Sequence, residues 1–338
     1  MSNKALFNVK PLGFPWETKD PYIFCAYHRD QYPKGNEIMG PDASLEGRNI
    51  GQDFVIKDGW RMYHGETIPG FPYHPHRGFE TITINKEGIV DHSDSLGAAG
   101  RFGAGDVQWM TAGKGVQHSE MFPLIHQDKK NPLEIFQIWL NLPKEKKFVD
   151  PHFKMLWATN IPTLIEENKE GKYVHVDVIA GDLNNLKAPK PTPESWAADP
   201  DNDVAIWTIK LESGMEWILP GSKSMVSRTL YYYKGNSLHI DREYVPSKHS
   251  IEIRSHKDCL LSAGESDCYL LMLQGKPINE KVVQYGPFVM NSEQEIKETF
   301  EDYRKTQFGG WPWSTRDQVH DRNKGRFALH ADGTKEIG

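Results

Sequence analysis

Residues 73–88 read YHPHRGFETITINKEG, and residues 111–122 read TAGKGVQHSEMF. In an extended strand, residues i and i+2 point to the same face, roughly 7 Å apart along the chain. His74 with His76, and His118 with Glu120, therefore each present two possible metal ligands to one side. Apolar, glycine-punctuated segments between the two pairs are typical of further strands, which can return the second pair to the first. The sequence thus predicts that three imidazoles and one carboxylate converge on one point.

The same alternation predicts the walls of this site. We expect the histidine face of the first segment to continue through Gly78, Glu80, Ile82 and Ile84 into an apolar barrel interior. Gly78 should leave space beside the metal, while Glu80 should either orient an imidazole or form a salt bridge with Arg77 or another basic residue. Val116 and Phe122 share the face of the second segment, as hydrophobic walls or simply as core residues.

Short strand-like runs recur along most of the chain. Between residues 52 and 143 they alternate with glycine turns, which favours an antiparallel barrel or sandwich, and a second series runs from Val174 to Leu273. Ser292 and Glu295 form a capping box before a helix with an apolar stripe, and the end of the tail is expected to be frayed. We therefore predict an all-β fold with two tandem β-barrels and a short C-terminal helix. The predicted division is residues 1–150 with the metal site, 151–290 without metal, and 291–338 as helix and tail.

The two strand series can be aligned through their turn residues. Residues 73–88 match residues 220–235, and residues 111–113 match 262–264. In this alignment the four candidate ligands face Gly221, Lys223, Tyr269 and Leu271. The simultaneous loss of all four is expected if they act as one site, so the second barrel is predicted to bind no metal.

Composition describes an ordinary soluble protein. The 338 residues carry a formal net charge of −6, with 25% charged and 38% hydrophobic residues, so charge gives no support for nucleic-acid binding. The three cysteines are widely spaced and predict neither a disulfide framework nor a thiolate metal site. No membrane span or targeting segment is recognised, and we expect a cytoplasmic protein.

Histidine and carboxylate ligands without thiolate suit iron, manganese, nickel or copper, and zinc is compatible with them. We expect Fe(2+), with open positions for a substrate and O2. Glu120 is also a candidate catalytic base, since a carboxylate near a phenolic substrate can take its proton. His64 and His92, the other nearby imidazoles, are expected to orient the ligands or to lie at the surface.

Several longer motifs resemble the pirin family of bicupins. They are HPHRGFET from His74, DSLG from Asp94, GDVQWMTAG from Gly105, KGVQHSEM from Lys114, QIWLNLP from Gln137 and QYGPFVMN from Gln284. The resemblance covers residues 52–304. It implies two tandem cupin β-barrels, with iron held in the first by His74, His76, His118 and Glu120.

The resemblance also implies two alternative functions. One is a quercetin 2,3-dioxygenase-like activity, in which O2 opens the central ring of a flavonol. The other is a metal- and redox-dependent regulator that binds a transcription factor or metabolic enzyme as its protein partner. Residues 83–86 and the insertion at 126–131 depart from the family pattern near the expected pocket mouth, which bears on the substrate more than on the metal.

Overall fold

The computed structural model describes residues 6–338, over which the chain forms 24 strands, one α-helix and five short 3-10 segments. The first twelve strands are β1 (Leu6–Pro11), β2 (Tyr22–Tyr32), β3 (Gly70–His76), β4 (Phe79–Glu87), β5 (Ile89–Asp94), β6 (Ala99–Gly103), β7 (Val107–Thr111), β8 (Val116–Met121), β9 (Asn131–Asn141), β10 (His152–Leu156), β11 (Thr163–Glu167) and β12 (Tyr173–Ala180). The others are β13 (Ala205–Leu211), β14 (Glu216–Leu219), β15 (Ser227–Lys234), β16 (Leu238–Ile240), β17 (Glu243–Val245), β18 (His249–Ile253), β19 (Cys259–Ala263), β20 (Cys268–Gly275), β21 (Val283–Tyr285), β22 (Phe288–Met290), β23 (Phe327–Leu329) and β24 (Lys335–Ile337). The helix, α1, spans Glu293–Thr306, and the 3-10 segments are Lys144–Lys146, Ala158–Asn160, Trp196–Ala198, Pro200–Asn202 and Gln307–Gly309.

The chain forms two compact units, each built from two separate stretches. The first unit contains residues 26–158 and 280–338, and the second contains residues 6–25 and 159–279. This grouping differs from the predicted division, because β1 pairs with β18 and the Tyr22 hydroxyl donates to the carbonyls of Ala205 and Gln274. The N-terminal segment therefore belongs to the second unit, while α1 and the tail belong to the first.

The first unit has two main antiparallel sheets. One has the order β10-β7-β4-β9-β2, and the other has the order β24-β23-β6-β5-β8-β3. The Thr83 hydroxyl on β4 donates to Glu120 on β8, so these two sheets face each other across the barrel interior. The candidate ligands lie on β3 and β8 of the six-stranded sheet.

The second unit repeats this strand pairing, with sheets β1-β18-β15-β20-β13-β12-β11 and β14-β19-β16-β17. β14 pairs with β19 as β3 pairs with β8, and β15 lies between β18 and β20 as β4 lies between β7 and β9. The predicted alignment of residues 111–113 with 262–264 is therefore wrong, since the counterpart of β8 is β19 rather than β20. The strands that correspond to β3 and β8 contribute Trp217, Leu219, Cys259 and Leu261 to an apolar core.

The helix begins as predicted, whereas the tail does not fray. The Ser292 hydroxyl accepts from the Glu295 amide, and the Glu295 carboxylate accepts from the amide of Asn291. In the tail, β23 pairs with β6, and Arg101 donates to the carbonyls of His320, Asp321 and Lys324, which together hold this segment on the first unit. Within residues 6–338, no helix is both long and apolar enough to cross a membrane.

Candidate metal centre

Two adjacent strands bring three histidines together. β3 and β8 are antiparallel, and His74 lies directly opposite His118 in their register. His76 follows two residues after His74, so its ring joins the same cluster, and the three ring centroids lie 4.6 to 4.9 Å apart. One possible ligand atom from each ring lies within 4.8 Å of the others. The alternation that the sequence predicts thus places all three imidazoles around one point.

The hydrogen bonds of the rings leave nitrogen lone pairs for a metal. Nδ1 of His74 lies 2.9 Å from the Pro72 carbonyl, and Nδ1 of His76 lies 3.4 Å from the Pro287 carbonyl. With the proton on Nδ1, each ring donates to its carbonyl and directs an unprotonated Nε2 away from it. Nε2 of His76 and both ring nitrogens of His118 are buried without a hydrogen-bond partner in the described part of the chain. A neutral imidazole carries one N–H and one lone pair, so each of these two rings has an unbonded nitrogen lone pair that fits a metal ion.

Burial also sets the protonation state of the cluster. It lowers the pKa of His74 to about 4 and lowers the pKa of His76 and His118 well below the usual range. A charged imidazolium is disfavoured because the interior solvates it poorly, and neighbouring imidazoles repel a second charge. All three rings are therefore neutral near pH 7, which is the form that binds metals.

Glu120 lies beside the histidines, where two hydrogen bonds hold its carboxylate. Oε1 accepts from the Thr83 hydroxyl at 2.8 Å, and Oε2 accepts from the Gln137 side-chain amide. Oε2 is 3.8 Å from Nε2 of His118. Burial raises the pKa of Glu120, while the two hydrogen bonds lower it. Glu120 thus lies close to the His118 ring, although the cluster within 4.8 Å consists of imidazoles alone.

The sequence suggested that Gly78 leaves space beside the metal, but in the structure another backbone segment occupies that space. It has a φ of +88°, and a Cβ at this position would lie 2.0 Å from the Val289 carbonyl oxygen. The chain turns here from β3 in one sheet to β4 in the other, so the alternation does not continue through Gly78. Glu80 accepts from Trp109 and Thr111, and Arg77 pairs with Asp302.

The wall opposite the histidines is polar rather than apolar. Thr83 reaches Glu120 across the interior, and alternation places Thr81 and Asn85 on the same face of β4. Gln108 on β7 lies opposite Thr83 and therefore points the same way. The Thr81 hydroxyl and both amide atoms of Asn85 and Gln108 are buried without hydrogen-bond partners among the described residues. The sequence interpretation placed Ile82 and Ile84 on this face, which is wrong because of the turn at Gly78.

His92 and Asp94 form a second buried pair in the same barrel. They lie opposite Glu120 and His118 in the register of β5 with β8. Nε2 of His92 is 3.2 Å from the Asp94 carboxylate, and its ring centroid is 5.5 Å from that of His118. Their spacing of two residues, which predicts the other two pairs, could also have indicated that Asp94 lies at the site. His64, by contrast, is exposed at the surface.

A C-terminal hairpin completes the surroundings of His76. β21 and β22 form this hairpin, and its turn supplies the Pro287 carbonyl that lies beside Nδ1 of His76. The buried Lys147 ammonium fastens the hairpin, since it donates to the carbonyls of Gly78 and Val289 and to the Asn141 side chain. Burial lowers the pKa of Lys147 to about 8. The candidate metal centre therefore draws on residues from both stretches of the first unit.

Two antiparallel barrels in tandem, one of which gathers three histidines, define a bicupin protein with a candidate metal centre. Models of the families described as Pirin and Pirin C-terminal cupin domain match residues 35–140 and 206–309. The chain belongs to the pirin family, as its motifs predicted.

Its relatives include plant and animal proteins of that name. Pirin-1 of Arabidopsis thaliana is 37% identical over 252 residues, which cover 71% of this chain and 78% of the relative. Pirin of Homo sapiens is 32% identical over 257 residues, which cover 73% of this chain and 80% of the relative. A crystal structure of quercetin 2,3-dioxygenase from Acinetobacter baumannii superposes with a TM-score of 0.71 and 25% identity, covering 91% of this chain and 99% of that one. These similarities extend over both barrels.

Proposed function

We propose that the protein is an iron-dependent dioxygenase of the pirin type, which opens the ring of a quercetin-like flavonol with O2. The observation that supports it is the cluster of three neutral imidazoles with ligand atoms within 4.8 Å of one another, with the Glu120 carboxylate beside it. The similarity to a quercetin 2,3-dioxygenase over 91% of the chain supports the same activity.

In this proposal His74, His76, His118 and Glu120 hold the metal. A bound Fe(2+) supplies the electron transfer between organic substrate and O2 that carboxylate and imidazole groups alone lack. Glu120, once it has left the metal, takes the proton of a substrate hydroxyl, since a carboxylate near a phenolic substrate can accept that proton. Thr83 and Gln137 keep its two oxygens in place during that transfer.

The polar wall supports a hydroxylated substrate. Thr81, Asn85 and Gln108 offer buried donors and acceptors without partners among the described residues, and such groups are costly unless something bonds to them. Hydroxyl groups on a flavonol can satisfy both donors and acceptors. A wall of isoleucines, as the sequence suggested, would instead favour an apolar ligand.

Oxygen consumption tests this proposal. The apo protein is loaded separately with iron, manganese, nickel, copper or zinc, and O2 uptake is followed with quercetin in an oxygen electrode. We expect turnover with iron that His118→Ala abolishes and that the matched variant His239→Ala, in the second unit, retains. Bound metal without O2 uptake, on quercetin or on other polyphenols assayed in the same way, would overturn the dioxygenase and favour the regulatory function.

A further inference from the structure

The second unit contains a cavity of about 590 Å³ that the metal centre does not share. It is lined by strands β15 and β18, the loops before β15 and after β18, and Lys19. Three cationic side chains contribute to the lining, Lys19, Arg228 and Arg254, together with one carboxylate, Glu252. Cationic side chains therefore outnumber carboxylates in the lining.

Arg228 places a buried charge in this lining. The Arg228 side chain belongs to a residue that is only 3% exposed. Its guanidinium donates to Oε1 of Gln274 at 2.6 Å and to the Pro220 carbonyl at 2.7 Å. Both acceptors are neutral, and within residues 6–338 no carboxylate bonds directly to this guanidinium. The Gln274 amide in turn donates to Asp203, so the nearest linked carboxylate is one side chain removed.

The guanidinium keeps its charge and has bonding capacity left. Burial lowers the pKa of Arg228 to about 10, which still leaves it protonated near neutral pH. Nε and Nη1 are bonded, whereas Nη2 has no hydrogen-bond partner in the described structure. A buried guanidinium with a free N–H group beside a cavity is a donor set for an oxyanion, because arginine matches carboxylate and phosphate geometry.

The single carboxylate of the lining is already paired. Oε1 of Glu252 accepts from the Asn8 side chain at 2.7 Å and lies 3.2 Å from the Lys19 ammonium. Its charge therefore balances Lys19 rather than Arg228. Asp203 and Asp258 lie near enough to raise the pKa of Arg228, but neither bonds to its guanidinium, so a carboxylate or phosphate of a ligand can still bond to it directly.

Strand correspondence places this cavity at a defined end of the second barrel. Arg228 lies at the start of β15, on the face that continues into the core residues Leu230 and Tyr232. The counterpart of β15 is β4, which begins at Phe79, whose ring lies 5.0 Å from that of His76. Arg228 thus lies at the end of the second barrel that corresponds to the histidine end of the first.

We propose that this cavity binds a small organic anion, through a carboxylate or phosphate group bonded to the free N–H group of Arg228, with Arg254 in the same lining. Met225 and Val226 add apolar surface to the lining, which suits a ligand with a short apolar part. The proposal is independent of the dioxygenase activity, because none of its residues belongs to the metal centre.

Titration with two anions tests it. Benzoate and inorganic phosphate are titrated separately into the metal-loaded protein at constant ionic strength, with chloride as the reference, and binding is measured by calorimetry. We expect saturable binding of at least one anion, weakened about 10- to 100-fold in Arg228→Gln, since a lost charged hydrogen bond has that effect. Binding of benzoate alone or phosphate alone identifies the group that the cavity accepts.

Matched variants separate a binding role from a structural one. Arg242→Gln removes the same charge from an exposed position of the second unit and should bind the anion like the wild type. If Arg228→Gln fails to fold, anion binding is measured in Arg254→Gln, whose position is half-buried, and its affinity should be weakened. Arg228→Lys should retain part of the affinity. Absence of saturable binding by the wild type, or equal binding by the folded Arg228 and Arg254 variants, would overturn the proposal.

Discussion

The two barrels pair corresponding strands in the same order but fill their interiors in opposite ways. In the first, β3 and β8 turn His74 and His118 inward, and several buried polar atoms have no partner among the described residues. In the second, β14 and β19 turn Trp217, Leu219 and Leu261 into a continuous apolar core. Burying apolar surface stabilises a barrel, whereas burying unpaired polar atoms costs free energy. Strand pairing therefore sets where side chains meet, and their chemistry decides whether the position contributes stability or a binding site.

Loss of a histidine from the first barrel should have the largest effect. His76→Ala removes the Nε2 lone pair that has no protein partner, and with it one of the four proposed metal ligands. We expect loss of stoichiometric metal, measured by elemental analysis of the purified protein after dialysis. His249→Ala, in the second unit, should keep its metal. Equal metal content in both variants would contradict the difference between the barrels.

Leu261→Ala tests the opposite role of the second barrel. Leu261 is fully buried in the apolar core, so the substitution should lower the free energy of unfolding by about 2–5 kcal/mol. Chemical denaturation measures this change, and metal per folded chain should stay at the wild-type level. A fall in metal content at unchanged stability would mean that the second barrel also holds the ion.

Thr83→Val should weaken metal binding without unfolding the protein. The variant removes the hydroxyl that donates to Glu120, and loss of such a supporting hydrogen bond typically costs 10- to 100-fold in metal affinity, or about 1.4–2.8 kcal/mol. Competition with a fluorescent chelator measures it. Thr208→Val is the matched control, because Thr208 donates to Asp177 in the second unit. Equal affinity in the two variants would remove Thr83 from the metal centre.

A smaller effect is expected on the stability of the metal-free protein in acid, where the wild type and His74→Gln should differ. The pKa of His74 falls from 6.5 to about 4 on folding, so the unfolded chain binds more protons between these pH values. The free energy of unfolding should therefore decline as pH falls from about 6.5 to about 4, and less steeply in His74→Gln. Urea titrations across this range, after chelation of metal, measure both slopes. Parallel slopes would show that His74 does not contribute.

Sequence patterns predicted the features that depend on a single strand or helix. Ligand types two residues apart predicted that His74 and His76 face one way, and the capping box at Ser292 predicted where the helix begins. Repeated strand signals also predicted two barrels. These features follow from local geometry, which the residues themselves largely determine.

Features that depend on which sheets meet could not be predicted in this way. In the sequence, Gly78 looks like the continuation of a strand. In the structure it has a positive φ, lies against the Val289 carbonyl and forms the turn between two sheets. Because of that turn, Thr81, Thr83 and Asn85 of β4 face the site in place of Ile82 and Ile84. Gln108, which lies opposite Thr83, faces the site with them. The β8 counterpart was likewise misassigned, since turn residues recur in every hairpin and do not identify strand partners.

The hydrogen bond between His76 and Pro287 has a consequence for biosynthesis. The two residues are 211 positions apart, and Lys147 fastens the hairpin that carries Pro287 to the turn after His76. A ribosome must therefore release most of the chain before the ring of His76 acquires its hydrogen-bond acceptor. This hydrogen bond therefore forms only after every strand of the second barrel has emerged, whereas the candidate ligands, from His74 to Glu120, lie close together in the sequence.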